Sequence, residues 1–446
     1  MAKLALRDGG SLDTTPDSGN AGDIEINATD SVSLVGRKDS LRSVIVADVS
    51  EDGNAGHIRI SAPRLELSDS GISASAGGEG GTGGTIELEV ENLFLSDGAT
   101  IGTTNVIARM GGQILINAKD SVVISGRNPA NPSNINSATR GEGDAGRVFV
   151  KAGRLTLRDG GTISTRNERG SGNAGEIRLE VDNLLVEDGG SVESTTRDKG
   201  NAGAITVNAP EGEVAVTGVG SGITAASLVT DQNAGNAGSA GSIMIKAGRF
   251  MVSGGGEVSA STSTSGAGGN VAIESPDIRL SSGGTISART RGSGKGGNIE
   301  INEINGKSGT VLLSGPSTAI TSETTADGDA GSVAIRAGKL TICDGAAISA
   351  STLGNGKGGS INISASDIDL MNGAKILAQS ESPNPNAVSG NVMARADDTF
   401  RIFDKSSVSV ETEEANAGNI DLKAGFLLRL RDQSSITTSV APGPAL

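Results

Sequence analysis

The chain has 446 residues and no tryptophan, no tyrosine, six phenylalanines, one cysteine and one histidine. A compact globular core of this length would recruit aromatic rings, which bury the most area per side chain. The apolar residues here are Ile, Leu, Val and Ala, which predict a narrow interior with little room for rings. With Cys343 alone, no intrachain disulfide can form. With His57 alone and one cysteine, histidine- or cysteine-based zinc sites are poorly supported. No apolar run approaches the roughly 20 residues of a membrane span, so membrane insertion is not expected. The net charge of −15 and the scattered Lys and Arg argue against nucleic-acid binding and against a basic tract for an anionic membrane. No signal peptide precedes Ala2, because repeat text follows Met1 directly; the sequence reads as an internal segment of something longer.

What is present is a repeat. Gly accounts for 68 residues. A marker glycine before an alternating apolar pair recurs at Gly22, Gly56, Gly84, Gly112, Gly146, Gly175, Gly203, Gly241, Gly269, Gly297, Gly331, Gly359, Gly390 and Gly418. Most steps are 28 or 29 residues, several are 34 and one is 38. Each reads Gly, x-Ile-x-Ile, a corner, Leu-x-Leu, an Asp-Gly-Gly-like turn, Ile-Ser-Ala-Ser/Thr and a Gly/Asn-rich loop. From Gly146 the pattern is Val148, Val150, Leu155, Leu157, Asp159-Gly160-Gly161 and Ile163. Period-2 alternation means strands with one buried face. Three short strands per repeat predict one triangular coil of an all-β solenoid, a single-stranded parallel β-helix without helices. One coil cannot bury its own apolar face, so stability depends on stacking. About five inward apolar side chains per coil contribute roughly 1.5–3 kcal/mol each, largely offset by ordering entropy. At about 4.8 Å per coil, some 14 coils predict a rod of roughly 65–70 Å.

Coils group in threes, giving a super-repeat of about 92 residues: Gly22 to Gly112 is 90, Gly112 to Gly203 is 91, Gly203 to Gly297 is 94, Gly297 to Gly390 is 93. The predicted organisation is one continuous β-helix over 1–446. It comprises a partial coil at 1–21, super-repeats at 22–111, 112–202, 203–296 and 297–389, final coils at 390–440 and a disordered tail at 441–446. The column eight residues past each marker reads Asp30, Arg64, Asn92, Asp120, Arg154, Asn183, Glu211, Arg249, Asp277, Asn305, Lys339, Asp367, Asp398, Phe426. In register, each cation would sit between an acid or amide on either side, a ladder that avoids stacking like charges. Each exposed pair contributes only about 0.2–1 kcal/mol, so the expected role is setting register; shared ancestry of duplicated triplets explains the same pattern.

The stretch Ala152-Gly153-Arg154-Leu155-Thr156-Leu157-Arg158-Asp159-Gly160-Gly161-Thr162-Ile163-Ser164, followed by Gly172-Asn173-Ala174-Gly175, resembles the repeats of large filamentous-haemagglutinin-like exoproteins, especially cyanobacterial ones. The resemblance covers nearly the whole chain and is specific as a repeat style. It implies a right-handed β-helix, export through an outer-membrane two-partner-secretion transporter, a secreted or cell-surface location, and an adhesive or structural role. The family's N-terminal secretion domain does not appear in this sequence. A host or neighbouring-cell ligand is implied but not identified.

Candidate chemistry is sparse. Asp69 and Asp97, and Asp159 and Asp188, occupy equivalent turns, and in register would lie about 5 Å apart, near the spacing of a retaining glycosidase. Asp before Gly-Gly bonding its own turn backbone accounts for them better, since the pairing recurs along the chain and no Trp or Tyr platform accompanies it. Gly77-Gly78-Glu79-Gly80-Gly81-Thr82 departs from the calcium nonapeptide at Thr82. Asp327-Gly328-Asp329 and Glu142-Gly143-Asp144 read as solvated turns. Gly306-Lys307-Ser308 lacks the upstream glycine and following helix of a P-loop. His57 is outward on a strand and Cys343 fills a slot held elsewhere by Ser68, Arg158 and Ser253. The Ser/Thr/Ala tracts (Ser73 to Ser75, Ser259 to Ser263, Ser349 to Thr352) lack the Thr spacing of an ice-binding face and read as small residues at a tight corner. The variable loops Gly36 to Val44, Arg127 to Asn136, Thr217 to Gly238 and Ser380 to Ser389 are the best-placed features for ligand contact, although insertion without function is also open. No cofactor, metal or catalysis is expected. The leading reading is a structural and adhesive rod segment; the alternatives are a spacer displaying a binding domain elsewhere and a polysaccharide-active β-helix. Strand edges at either end could support end-to-end self-association.

Overall fold

The computed structural model describes residues 1–78, 80–106, 110–128, 131–228, 238–302, 309–382, 388–412 and 416–440. The chain is all-β, a parallel β-solenoid of about 14 turns, with no helix among the described residues. It divides into two compact units, Met1–Gly212 with Gly220–Ala234, and Glu213–Val219 with Gly235–Leu446.

In most coils of the first unit the two apolar runs fuse into one long strand, although Ile24–Asn27 and Ser31–Val35 stay separate. His57–Ser68, Thr85–Ser96, Gln113–Ser125, Val148–Arg158 and Ile177–Glu187 pair in parallel, each with the next. The expected third strand forms a second parallel sheet, through Ser70–Ser73, Thr100–Asn105, Asn134–Thr139, Thr162–Asn167, Ser191–Thr196 and Gly222–Ser227. A coil therefore contributes to two sheets, not three. The corner expected to break the first two strands is a kink that the backbone ladder crosses. In the second unit both patterns occur: Val333–Cys343 and Ile361–Met371 are continuous, whereas Val271–Glu274 and Asp277–Ser281 are separate strands.

Register puts identical side-chain classes on top of one another. Ile58, Ile86, Ile114, Val148 and Ile177 form one inward column in the first unit. Val258, Ile286, Ile320, Ile348, Ile376, Val408 and Ile436 form another in the second. Ile177, Leu184 and Val192 are at most 1% exposed and line a common interior. Phe250 and Phe400 are fully buried in this interior, so it does accommodate rings, contrary to expectation. Both sit in the slot that Leu155 fills in its own coil, where neighbouring coils supply Ile278 and Ile368.

The marker glycines answer to close approach. A Cβ on Gly175 would lie under 3.0 Å from the carbonyl oxygen of Gly146, and one on Gly203 equally close to that of Gly175. The Gly/Asn-rich segment thus stacks backbone on backbone. Hydroxyls at the end of the second sheet latch it: Thr165 Oγ1 and Ser194 Oγ donate to Gly175 O at 2.6 and 3.0 Å, and Ser322 Oγ donates to Gly297 O at 2.7 Å.

The Ser/Thr tracts are correspondingly more ordered than small residues at a corner. Thr262, Thr290, Thr324, Thr352, Ser380 and Thr412 bridge coil to coil and are at most 3% exposed. Thr290 Oγ1 donates to Lys295 O at 2.9 Å and Thr324 Oγ1 contacts Thr352 Oγ1 at 2.9 Å. In the first unit the same column reads Asn105, Thr139, Asn167, Thr196, Ser227, all buried. It is an internal polar stripe in which Asn105, Asn167, Thr290 and Thr324 donate to carbonyls of the returning loop, whereas the buried hydroxyls of Thr196 and Ser380 find no partner among the described residues.

Candidate functional site

The outer faces of the coils carry the polar side chains, and the expected charge column is the first test of their order. Arg64 does pair with Asn92 and Arg154 with Asn183. The first coil of each triplet, and the coil that starts at Gly418, shift the column. Between Ala118 and Ser121 the register slips, so Ser121, not Asp120, faces both Asn92 and Arg154. Ser31 replaces Asp30 opposite Arg64, and Thr310 stands between Asp277 and Lys339. Thr399 replaces Asp398 and Leu427 replaces Phe426. Glu213, not Glu211, meets Arg249, at 3.8 Å. Asn305 lies outside the described residues. The physical reason is one additional corner residue, two before Glu213 and five before Thr310, which a fixed count of eight from the marker glycine does not register.

The contacts in the corrected column are mixed. Arg249 Nε reaches Asp277 Oδ2 at 3.0 Å and Arg279 Nε reaches Asp277 Oδ1 at 2.9 Å. Burial alone would raise the Asp277 carboxyl, but the two guanidinium groups outweigh it and hold it below the usual range. Lys339 is in register with Asp367, yet its Nζ reaches Asp369 at 3.5 Å, where Arg401 also binds at 2.5 and 2.7 Å. Asp367 instead accepts Thr399 Oγ1. Arg64 lies over the Phe94 ring at 4.4 Å and pairs with Glu66 in its own strand.

The turn aspartates owe their place to backbone conformation. Asp159 and Gly160 have φ of 50° and 78°, and Asp188 and Gly189 have 49° and 77°. Gly161 N donates to Arg158 O, and Gly190 N to Glu187 O, both at 2.8 Å. These are tight turns with two left-handed residues, which Asp-Gly supplies at low cost. The bond that closes each turn is therefore backbone to backbone, in place of the side-chain bond expected. Several carboxylates reach to other coils: Asp97 accepts Ser68 Oγ of the preceding coil at 2.8 Å, besides Ser96 Oγ of its own coil at 3.0 Å. Asp344 accepts Asn372 Nδ2 and Ser314 Oγ, both at 2.9 Å, and these bonds with Cys343 hold its carboxyl low.

Asp69 is the most heavily engaged of them. Arg37 grips it with two bonds of 2.6 Å, Asn128 Nδ2 donates at 3.2 Å and Arg42 Nε stands 3.7 Å away. The Arg37 guanidinium, first among these, lowers the Asp69 carboxyl. Arg42, pushed down chiefly by burial, also donates to Ser70 O and Gly98 O at 2.9 and 2.6 Å. Arg37 and Arg42 come from the variable loop Gly36 to Val44, a short antiparallel hairpin turning at Asp39; Asn128 comes from the variable loop Arg127 to Asn136. These two loops lie across the turns of neighbouring coils. Residues 229–237 and 383–387 of the other variable loops lie outside the described residues, as do Gly306-Lys307-Ser308 and Glu79.

His57 Nε2 faces Glu87 Oε2 at 3.5 Å on the outer face. Cys343 aligns with Ser314 and Met371, and burial pushes its thiol up. Asp144 accepts Asn173 N at 2.8 Å, and Asp329 accepts Lys357 N at 2.9 Å. Among the described residues no group of three or more His, Cys, Asp or Glu could hold a metal ion. Asp48 is the one described carboxyl resolved as raised: burial pushes it up, against bonds from Ser73 Oγ at 2.7 Å and Ser75 N at 2.6 Å.

Two features escaped the sequence reading. The first is a side-chain ladder in which Asn or Asp of one coil accepts the backbone N–H of the next: Asn173 Oδ1 from Asn201 N, and Asn298 Oδ1 from Ser332 N, both at 2.9 Å. The recurring Gly-Asn-Ala-Gly text was its signal. The second is a pair of shallow clefts on the outer face of the long strands. One, of about 290 Å³, is lined by Leu115, Phe149 and Arg178 among others; the other, of about 300 Å³, by Met393, Arg336 and Arg395 among others.

Comparison with protein-family models, with curated proteins and with solved structures finds no match.

Proposed function

We propose that the chain is a structural and adhesive segment of a secreted bacterial surface exoprotein of the filamentous-haemagglutinin-like kind, exported through an outer-membrane two-partner-secretion transporter and acting without catalysis. The observation that carries the reading is where the side-chain chemistry is spent. Hydroxyls latch marker glycines, amides cap the next coil and turn carboxylates are tied to neighbouring coils. Each of these arrangements maintains a stack, and each recurs along the chain. The clefts are open and shallow, and the turn carboxylates resolved as shifted move down, opposite to what a general acid in glycoside cleavage needs. Under this reading the outer faces and the variable loops meet a ligand on a neighbouring or host cell surface.

The test is display of the chain on inert beads, with capture of bacterial or host cells counted against beads bearing an unrelated protein. Saturable capture supports adhesion. No capture, with a cooperative unfolding transition proving the protein folded, overturns it and leaves the spacer role.

A further inference from the structure

The position three residues past the marker glycine faces outward. In the first unit it carries Leu115, Phe149 and Arg178 in consecutive register. Phe149 is one of six phenylalanines in a chain without Trp or Tyr, and its ring is only partly covered, over a cleft of about 290 Å³. Arg147 and Arg178 stand at the rim. Arg147 is steadied by Gln113 at 3.1 Å and Arg178 by Glu180 at 2.5 Å, so both heads are positioned before anything binds. In the second unit the same position carries Met393, 47% exposed, beside a cleft of about 300 Å³. There Arg336, Ser364, Arg395 and Lys423 stack in one register column. Arg336 is held by Asn302 at 3.2 Å.

Each unit thus carries a floor of one large apolar side chain bordered by fixed cations. The lining of the first cleft holds Arg147 and Arg178 against Glu176; that of the second holds Arg336, Arg395 and Lys423 against Asp421. The second is locally cationic on a chain of net charge −15; in the first, Glu180 offsets Arg178, and Arg147, held by the neutral amide of Gln113, is the guanidinium presented to a ligand. An apolar platform with flanking donors fits the C–H face of a pyranose ring, and a guanidinium fits a carboxylate. A volume near 300 Å³ is at the small end for ligand pockets and suits one or two rings. The geometry points to two binding subsites for carboxylate-bearing sugars, one on Leu115–Phe149–Arg147 and one on Met393–Arg395. This deepens the adhesive reading and rests on it for its biological setting, though not for the binding itself.

Calorimetry with a galacturonic acid hexamer, against an uncharged galactose hexamer, tests it on the full chain. The expected result is saturable binding of the acidic hexamer at two sites, at least tenfold tighter than the neutral one and weakened by salt. Phe149→Ala or Arg147→Gln should reduce two sites to one, as should Arg395→Gln alone. Phe149→Tyr, which keeps the ring, should retain both. Because these side chains point outward, melting temperatures should stay near the parent's. Absence of saturable binding at millimolar hexamer, equal binding of the neutral hexamer, or survival of both sites in the Phe149→Ala/Arg395→Gln double variant would each overturn the assignment. Bead capture separates the two readings: cell capture without hexamer binding sinks the sugar assignment alone, and hexamer binding without cell capture sinks adhesion alone.

Discussion

Replacing Gly175 by alanine should be among the most damaging single-methyl additions in the chain. No left-handed φ is needed at this glycine; what it lacks is room, because the added Cβ would fall under 3.0 Å from Gly146 O. The stack must open there by on the order of 1 Å against a spacing near 4.8 Å. Overpacking of that kind costs about 1–3 kcal/mol. The displacement also strains the bonds from Thr165 and Ser194 to Gly175 O, at about 1 kcal/mol each. The expected total is about 3–5 kcal/mol. Two controls isolate the cause. Gly22 has the same motif, but its nearest neighbour is Thr14 at 3.5 Å, so Gly22→Ala should be nearly neutral. Gly189→Ala has φ of +77° and meets nothing nearer than Gly160 N at 4.0 Å, so it should cost only the left-handed conformation, about 1–2 kcal/mol. Urea unfolding followed by circular dichroism, with hydrogen exchange to locate any local opening, reads all three, since repeat arrays need not unfold as one unit. If Gly175→Ala costs no more than Gly189→Ala, the steric account of the marker column is wrong.

Asp48→Asn should stabilise the fold at neutral pH and change little in acid. A folded-state pKa raised by burial means stability falls as pH rises from the unfolded to the folded value; the amide keeps the acceptor for Ser73 and Ser75 and removes the charge, and a pH series of urea midpoints reads the difference. Asp69→Asn should act with the opposite sign. Its carboxyl is lowered by Arg37, so its contribution is present above the ordinary aspartate pKa and lost as pH falls through the folded value; the variant should be weaker at neutral pH and converge with the parent in acid, and identical pH profiles would refute the pairing. Thr290→Val, which removes one of two donors to Lys295 O and leaves it the bond from Gly268 N, should cost about 0.5–1.5 kcal/mol, the net worth of one hydrogen bond, measured by thermal and urea unfolding.

The inward columns were legible because burial imposes a strict period of two on Ile, Leu and Val, and a strand cannot shift by one residue without turning its apolar face outward. Ile177, Leu184 and Val192 could be placed from text alone. The outer column was legible only between corners. Counting eight from Gly112 lands on Asp120, whereas the extra corner residue delivers Ser121 to the ladder. Corner length is set by backbone geometry and leaves only a weak compositional trace. The turn at Asp159 was recognised by its residues and misassigned in mechanism, because a positive φ and a side-chain bond favour the same amino acid. The polar stripe through Thr290 and Thr324 was read as packing because Ser, Thr and Ala alternate there without saying which hydroxyls face in. Phe149 went unnoticed because one ring in a polar setting has no period.

The corrected column changes what can hold the coils in order. Hydroxyls at Ser31, Ser121 and Thr310 face Arg64, Arg154 and Lys339 where acids or an amide were expected, and Arg249 alone among the column's cations meets acids on both sides, Glu213 and Asp277. The column therefore avoids repulsion without supplying much attraction. Glycine stacks and amide caps recur in similar form along the chain, so a chain slipped by one coil would remake most of them. A slip is opposed by contacts from the loops of the first two triplets that do not repeat from coil to coil. Arg42 donates to Gly98 O, two coils away, and Asn128 reaches back two coils to Asp69. A slip would strand Arg42, already lowered by burial, without the carbonyls that justify burying it. Loss of hydrogen bonds to a half-buried charge removes the contacts that offset its desolvation. Loops inserted in the first coil of a triplet thus do for register what the charge ladder was expected to do, by clamping neighbouring turns that the repeat alone leaves interchangeable.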